Sequence, residues 1–448
     1  FYKQGVVYSR CMIEIIPIGG FSEIGRNSVA IKYGDESVIL DLGLHMENYI
    51  NLQEESQHDP SKQELLKVKA IPNYDKVAKG LGEVKAVAIT HAHLDHVGAT
   101  PYFLNQIGAP VHGSRFTINV LKAILKDKRI RSEPKLVEHP TDCTFEVSDN
   151  LSIQFVNITH SVPQTVAIVV HTPEGSVIYT PDYKLDNAPL LGDRPNYKAF
   201  KELNNVRALI HDSLYSLEGG KTPSESVARE MLRDVLLGTS TDDSNIVTTT
   251  FSSHIARLKT IVDLAESIGR KPVMIGRSLA KYVRAAKKSG IIDLESRAVD
   301  MVKYGGKLEG YFRHNKKTKD KLYMVTGHQG EPNAILSRMV QDDIFPFKKE
   351  DNVIFSCHVI PMKKAEENRA VLEQALRDKG IRVYKDIHVS GHARREDHRE
   401  LINVVEPENI IPTHGDVPKL ESSVDLAKQM GYSDDNVYVA ENYEKIIL

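Results

Sequence analysis

A chain of 448 residues, 41% hydrophobic and 26% charged, has material for two or three domains and fits a globular protein with a substantial core. Its 58 basic residues against 60 acidic ones leave a net charge of −2. That argues against a protein that coats nucleic acid by charge alone, while neither requiring nor forbidding a nucleic-acid substrate.

No run of about 18 apolar residues occurs, so no transmembrane helix and no membrane partner are expected. The opening "FYKQGVVYSRC" lacks the apolar stretch of a secretory signal. Met12 begins the first strand-like segment, so residues 1–11 read as a leader or a remnant. Cys11, Cys143 and Cys357 are scattered without a CxxC pair, which predicts a reducing, cytoplasmic setting.

In chain order, "IEIIPIG" and "SVAIKYGDESVILDLGL" read as strands, the second as a pair turning at Gly34-Asp35. "VKAVAIT" (84–90) reads as a buried strand, and a helix is expected around 114–128. "LSIQFVNITH", "TVAIVVHTPEGSVIYTPDY" (turning at Pro173-Glu174-Gly175) and "VRALIHDS" continue the β-rich pattern. Beyond about residue 214 strands and helices alternate. "TPSESVAREMLRDVL" opens with a capping signal, Thr222 as N-cap and Glu225 reaching back, and sets Val227, Met231 and Val235 at helical spacing. "NIVTTTF", "KPVMIG", "KLYMVTG" and "NVIFSCHVI" are strands between helices such as "IARLKTIVDLAESIG" and "AEENRAVLEQALRDKG", the last closed by Gly380. This alternation predicts a parallel-sheet α/β unit. The remaining chain offers "DIHVSGHA", a helix near 394–405, "NIIPTHGD", and a final helix and strand. Two stretches are locally basic, "LKDKRIRSEPK" (125–135) and "RHNKKTKDK" (313–321), and both read equally well as solvated surface.

Chemistry concentrates in "THAHLDH", where His91, His93, Asp95 and His96 follow a strand in the pattern HxHxDH. Imidazole and carboxylate together suit zinc or another borderline ion such as manganese. Alternate residues of a tight loop point to different sides, so the run can serve two adjacent ions. Four ligands cannot complete two sites, and His160, Asp182 and His414, each at the end of a predicted strand, are the further candidates.

These residues resemble the metallo-β-lactamase superfamily. "VILDLGL" with Asp41 matches its first motif, "THAHLDH" its second, His160 its third and Asp182 its fourth. The resemblance implies an αββα sandwich and two divalent ions, zinc first, with manganese or magnesium as alternatives. His91, His93 and His160 would hold one, Asp95, His96 and His414 the other, and Asp182 would bridge them, with Asp41 orienting the histidine loop behind them. Pro181 stands where the family often has glycine.

The α/β segment before His414 resembles the β-CASP domain of nucleic-acid-processing members, with Asp212 in "LIHDS", His392 in "VSGHA" and His414 in "PTHGD" at its three motifs. A histidine at the third implies RNA. "GGFSEIGRNS", "TPSE", "FSSHIARL", "IGRSL" and "TGHQGEPNAILSR" narrow the likeness to the ribonuclease J family, in a shorter archaeal type. His328 takes a place where serine is common, no separate domain is expected after His414, and no KH-like extension is expected before Met12.

The expected domains are 12–214, the N-terminal part of the metallo-β-lactamase domain, 215–385, the β-CASP insert, and 386–448, the returning part. The implied function is 5′-3′ exoribonuclease action on single-stranded RNA with preference for a 5′-monophosphate, in RNA decay or maturation, or alternatively a mainly endonucleolytic role. A homodimer is expected. Besides Asp95 in the metal loop, the implied catalytic groups are His392 as proton donor and Asp212 as its orienting partner. Ser253, Arg277, Ser278, Ser390, Gly391 and His392 lie in loops suited to phosphate, since glycine permits close approach and helix N-termini present N–H groups. "TPSE" is also explained by a helix cap alone, and Ser253 by a cap on the next helix.

Overall fold

The short β-branched runs of the first half sort their alternate side chains between two facing sheets. The structure is a computed structural model that describes residues 12–55, 58–130, 134–239, 243–303, 307–360 and 362–448. Cys11, the proposed leader 1–11 and part of the basic stretch 125–135 lie outside the described residues.

One seven-stranded sheet runs in the order Ile446–Ile447, Ile13–Gly19, Ser28–Tyr33, Glu36–Leu40, Glu83–Ile89, Val111–Ser114, Leu136–His139. A six-stranded sheet runs Ile410–Thr413, Val206–Asp212, Gly175–Thr180, Val166–Thr172, Ser152–Asn157, Cys143–Glu146. Their inner faces share one core, with Ile15, Val29 and Val38 from the first meeting Phe155, Ile168 and Val177 from the second. Each such side chain taken fully out of water contributes roughly 1.5–3 kcal/mol, and a one-residue slip would expose the whole set. Outside, helix Arg115–Asp127 covers the first sheet through Phe116, Val120 and Leu121. Leu401, Ile402, Leu426 and Ala427 of helices Arg395–Val405 and Val417–Gln429 cover the second. This is an αββα sandwich.

The third sheet is parallel throughout, in the order Asp300–Val302, Lys271–Ile275, Lys321–Val325, Ile246–Thr249, Asn352–Phe355, Arg382–Tyr384. Its central strands Ile246–Thr249, Lys321–Val325 and Asn352–Phe355 are buried along their whole length because both faces are covered by helices. Leu258, Ile261 and Val283 lie on one face and Leu336, Met339 and Leu372 on the other. The unit is inserted between two strands that are parallel neighbours in the second sheet, with Asp212 paired to Thr413. It docks where helix Arg277–Lys288 packs on helix Arg115–Asp127, and Asn119 Nδ2 donates to Ser289 Oγ at 3.1 Å across the seam.

Two local expectations are corrected. Helix Glu225–Gly238 is capped by Ser224, whose Oγ accepts from the Ser226 N–H at 3.2 Å, while the Thr222 hydroxyl donates to the His392 carbonyl at 2.6 Å. Its buried side chains are Glu225, Ala228, Leu232 and Leu236, and Val227 is exposed. Glu225, drawn to Arg257, points inward (Arg257 Nη2 to Glu225 Oε2, 2.9 Å). The other correction concerns helix Ile255–Ser267, where the N-cap is His254 and Ser253 makes no cap.

Candidate metal centre and nucleic-acid site

Parallel strands deliver their carboxyl ends to one edge, where the loops that follow can converge. Asp41 follows Glu36–Leu40, the histidine run follows Glu83–Ile89, His160 follows Ser152–Asn157, Asp182 follows Gly175–Thr180, Asp212 ends its strand, and His414 follows Ile410–Thr413. The seven predicted ligands, joined by His392, fall into three groups, in each of which every ligand atom lies within 4.8 Å of the others: His91, His93, His160 and Asp182; Asp95, His96 and Asp182; Asp182, His392 and His414. Asp182 is common to all three, so Pro181 does not keep it from the centre.

The first group fits a divalent ion closely. His91 Nε2 lies 3.1 Å from His93 Nδ1, which lies 3.2 Å from His160 Nε2. Nitrogens on a tetrahedral zinc would stand about 3.3 Å apart. Asp182 Oδ2 is 3.4 Å, 4.0 Å and 3.5 Å from the same three atoms. Each ring's other nitrogen is held from behind. Thr90 Oγ1 stands 3.1 Å from His91 Nδ1, Ser253 Oγ 3.0 Å from His93 Nε2, and the Gly391 carbonyl 2.7 Å from His160 Nδ1. Protons on those outer nitrogens leave three lone pairs facing inward, which is the arrangement a cation requires. Burial, aided by the neighbouring His96, pushes His91 down to about 3, and burial drives His160 well below the usual range, so both rings are neutral.

The second position is built from Asp182 Oδ1, which is buried and lies 3.0 Å from His96 Nε2. Asp95 Oδ2 is 3.6 Å from the same nitrogen. Asp41 accepts His96 Nδ1–H at 2.8 Å and takes two further bonds from the Thr90 N–H and hydroxyl, so one buried carboxylate sets the histidine loop. Burial opposes charge on His96, but Asp182, Asp95 and Asp41 outweigh it and hold the ring positive well above the usual range. That surplus of negative charge is what a divalent ion would neutralise.

His414 fits less directly. Its Nε2 lies 4.0 Å from Asp95 and 3.8 Å from Asp182, but its Nδ1 accepts the Gly25 N–H at 3.1 Å. A neutral ring then carries its proton on Nε2, so ligation there needs the Gly25 contact to be re-set.

His392 stands beside the cluster. Its Nδ1 donates to Asp212 Oδ2 at 2.8 Å, and its Nε2 faces Asp182 Oδ2 at 3.8 Å. Burial disfavours its charge, yet Asp212 and Asp182 prevail and lift it to about 9, so the ring carries a proton at neutral pH. The Asp212 carboxylate is itself fixed by the Leu214 N–H at 2.8 Å.

The parallel sheet presents its own carboxyl edge to this centre. "FSSH", "GRS" and "TGHQG" follow Ile246–Thr249, Lys271–Ile275 and Lys321–Val325 in turn. Of the six predicted phosphate contacts, four are already engaged around the cluster. Ser253 holds His93, Gly391 holds His160, Ser390 Oγ accepts the His392 N–H at 3.0 Å, and His392 pairs with Asp212. Arg277 and Ser278 are exposed in the first turn after Gly276, with Ser278 Oγ 2.9 Å from Ser252 Oγ.

Sequence reasoning passed over Asn27, whose Nδ2 lies 3.0 Å from His96 Nε2 and 3.1 Å from His414 Nδ1. It also missed Tyr282, whose hydroxyl donates to the Ala92 carbonyl at 3.1 Å. "GGFSEIGRNS" marked the first only as part of a string, and Tyr282 sits at an ordinary helical position without any signal.

Comparison with known proteins agrees with this geometry. Residues 23–227 match the metallo-β-lactamase superfamily, 243–373 the family described as ribonuclease J, β-CASP domain, and 380–440 the Zn-dependent metallo-hydrolase RNA specificity domain. Ribonuclease J of Pyrococcus abyssi is 39% identical over 440 residues, covering 96% of each chain. Ribonuclease J of Methanocaldococcus jannaschii is 38% identical over 450 residues, covering 97% of this chain and 100% of that one. Ribonuclease J 1 of Streptococcus pyogenes is 29% identical and is matched over 74% of its length. A crystal structure of a protein of unknown function from Enterococcus faecalis has the same fold, with a TM-score of 0.65 at 17% identity over 98% of this chain and 100% of that one.

Proposed function

Since the chain belongs to the ribonuclease J family, and is thus a metal-dependent ribonuclease that binds RNA, we propose that it degrades single-stranded RNA from the 5′ end and prefers a 5′-monophosphate. Its domains are then 12–214 with 386–448 for the hydrolase and 215–385 for the β-CASP insert. The observation that carries the reading is the meeting of two carboxyl edges, with Ser253 of the insert on His93 of the metal cluster.

In this reading His91, His93 and His160 would hold one ion and Asp95, His96 and His414 the other, with Asp182 shared between them. The three-imidazole donor set favours zinc over manganese or magnesium. Two such ions, when bound, would supply an activated water and neutralise charge on the scissile phosphate. His392, protonated and oriented by Asp212, gives its Nε2 proton to the departing oxygen. Asp212, by accepting from Nδ1, keeps the ring oriented so that Nε2 presents that proton. Arg277 and Ser278, exposed at a helix start on the same edge, receive the terminal phosphate. Ser390 and Gly391 serve that pocket indirectly, by fixing His392 and His160.

The scattered cysteines favour a cytoplasmic protein, and family resemblance favours a homodimer. Circular RNA tests the reading against the endonucleolytic alternative. An exonuclease leaves a circle intact and releases mononucleotides from its linear 5′-monophosphate form. Rapid cutting of the circle into large early fragments would refute the 5′-end reading.

A further inference from the structure

The histidine loop is touched from the β-CASP insert at two consecutive residues. Tyr282 Oη donates to the carbonyl of Ala92, and Ser253 Oγ meets Nε2 of His93, at 3.1 Å and 3.0 Å. Ala92 lies between two of the three imidazoles, so its carbonyl fixes the peptide that spaces them. Tyr282 is nearly fully buried on helix Arg277–Lys288, and Ser253 is 6% exposed. Neither hydroxyl is a surface group that met the loop by chance of rotamer.

Ser253 is in turn held by a charge network that crosses the seam. Asp186, from the sandwich, accepts the Glu225 N–H at 2.8 Å. The Glu225 carboxylate takes two bonds from Arg257, a fully buried residue whose Nη1 also donates to the carbonyls of Ser356 and Ile387 at 2.9 Å and 3.1 Å. His254, next to Ser253, stands 3.4 Å from the same carboxylate. A buried guanidinium with all these partners has one geometry only, and removing a partner would leave an uncompensated charge. The start of helix Ile255–Ser267 is therefore pinned to the sandwich, and Ser253 with it.

We propose that Ser253 and Tyr282 are positioning residues through which the β-CASP insert completes the His91/His93/His160 ion site, so that ion retention depends on these two contacts. The inference rests on the metal-dependent reading above, but not on its 5′-end directionality. Ser253 acts through His93, keeping the Nε2 proton outward and Nδ1 free to face the ion. Tyr282 acts through the backbone, holding His91 and His93 at their spacing. Outer partners of this kind commonly govern ion affinity by 10–100-fold.

The test measures ion retention without RNA. Protein loaded with zinc, or with cobalt for its visible spectrum, is challenged with a graded chelator. Ser253→Ala and Tyr282→Phe each delete one hydroxyl and keep the packing, and each is expected to lose its first ion at about 10-fold lower chelator concentration, with a changed cobalt spectrum. Asn119→Ala removes a different bond across the same seam, to Ser289, and is expected to retain ions like the parent. Parent-like retention and spectra in both hydroxyl variants would overturn the proposal. So would equal loss in the Asn119 variant, because docking in general, rather than these two contacts, would then be responsible. A ribonuclease that fails the circular-RNA test leaves this measurement unaffected.

Discussion

Gly391 and His160 constrain one another twice over: the glycine carbonyl takes the ring's Nδ1 proton at 2.7 Å, and a Cβ on Gly391 would fall 2.9 Å from both Cε1 and Nδ1 of that ring. Glycine is needed here for close approach. Gly391→Ala is expected to displace His160, lowering ion content and cleavage about 10–100-fold while thermal unfolding shows an intact fold. Parent-like metal content and rate in that variant would refute the assignment.

Loss of the proton donor should separate from loss of metal. His392→Ala is expected to slow the cleavage step by roughly 10²-fold or more with nearly unchanged metal content. Asp212→Asn should slow it too, since the ring loses the carboxylate that orients and charges it. If His392→Ala instead releases an ion, the grouping of His392 with Asp182 and His414 reflects ligation, and the proton-donor role falls.

Removing the cluster's centre should have the largest effect. Asp182→Ala takes away the one side chain common to all three ligand groups, and His91→Ala takes away a fully buried imidazole. Both are expected to abolish hydrolysis and lower the ion content, which should reach up to two per chain in the parent. Full activity in thoroughly demetallated protein would remove the basis for the mechanism.

Acid should destabilise the fold at a histidine pair outside the three ligand groups. His112 Nδ1 lies 2.9 Å from His139 Nε2, and both rings stack on Phe145. Burial, with His139 beside it, pushes His112 down to about 4. The unfolded chain takes up this proton near pH 6.5 and the folded chain only near 4. The stability that the neutral pair contributes is therefore complete above about pH 6.5 and is lost as pH falls toward 4. His112→Phe should give a shallower fall of urea midpoint between those limits. An unchanged slope would show that other groups dominate acid lability.

Much of this centre was legible because ligands must be particular residue types at strand ends. Asp41, the HxHxDH run, His160, Asp182 and His414 could be listed from the sequence, and the structure gathers them at one edge. What pattern could not supply was direction. Ser253 looked like a cap or a phosphate contact, and Gly391 like a phosphate loop, yet both face histidines. Val227, Met231 and Val235 do repeat along that helix, and Met231 and Val235 pack against the core, but Val227 is exposed and Glu225 is buried on Arg257, since a periodicity of apolar residues says nothing of a buried charge. Asn27 and Tyr282 escaped because each acts across a large gap in sequence, through a bond that no local pattern encodes.

The insertion has a consequence for synthesis. Thr413 pairs beside Asp212 only after the whole parallel-sheet unit has been made, and His392 and His414 arrive later in the chain than every residue of that unit. The centre therefore stays incomplete until the whole insert has been synthesised. The histidine loop, Asp182 and Asp212 precede the insert in the chain, and His392 and His414, which complete the site, follow it.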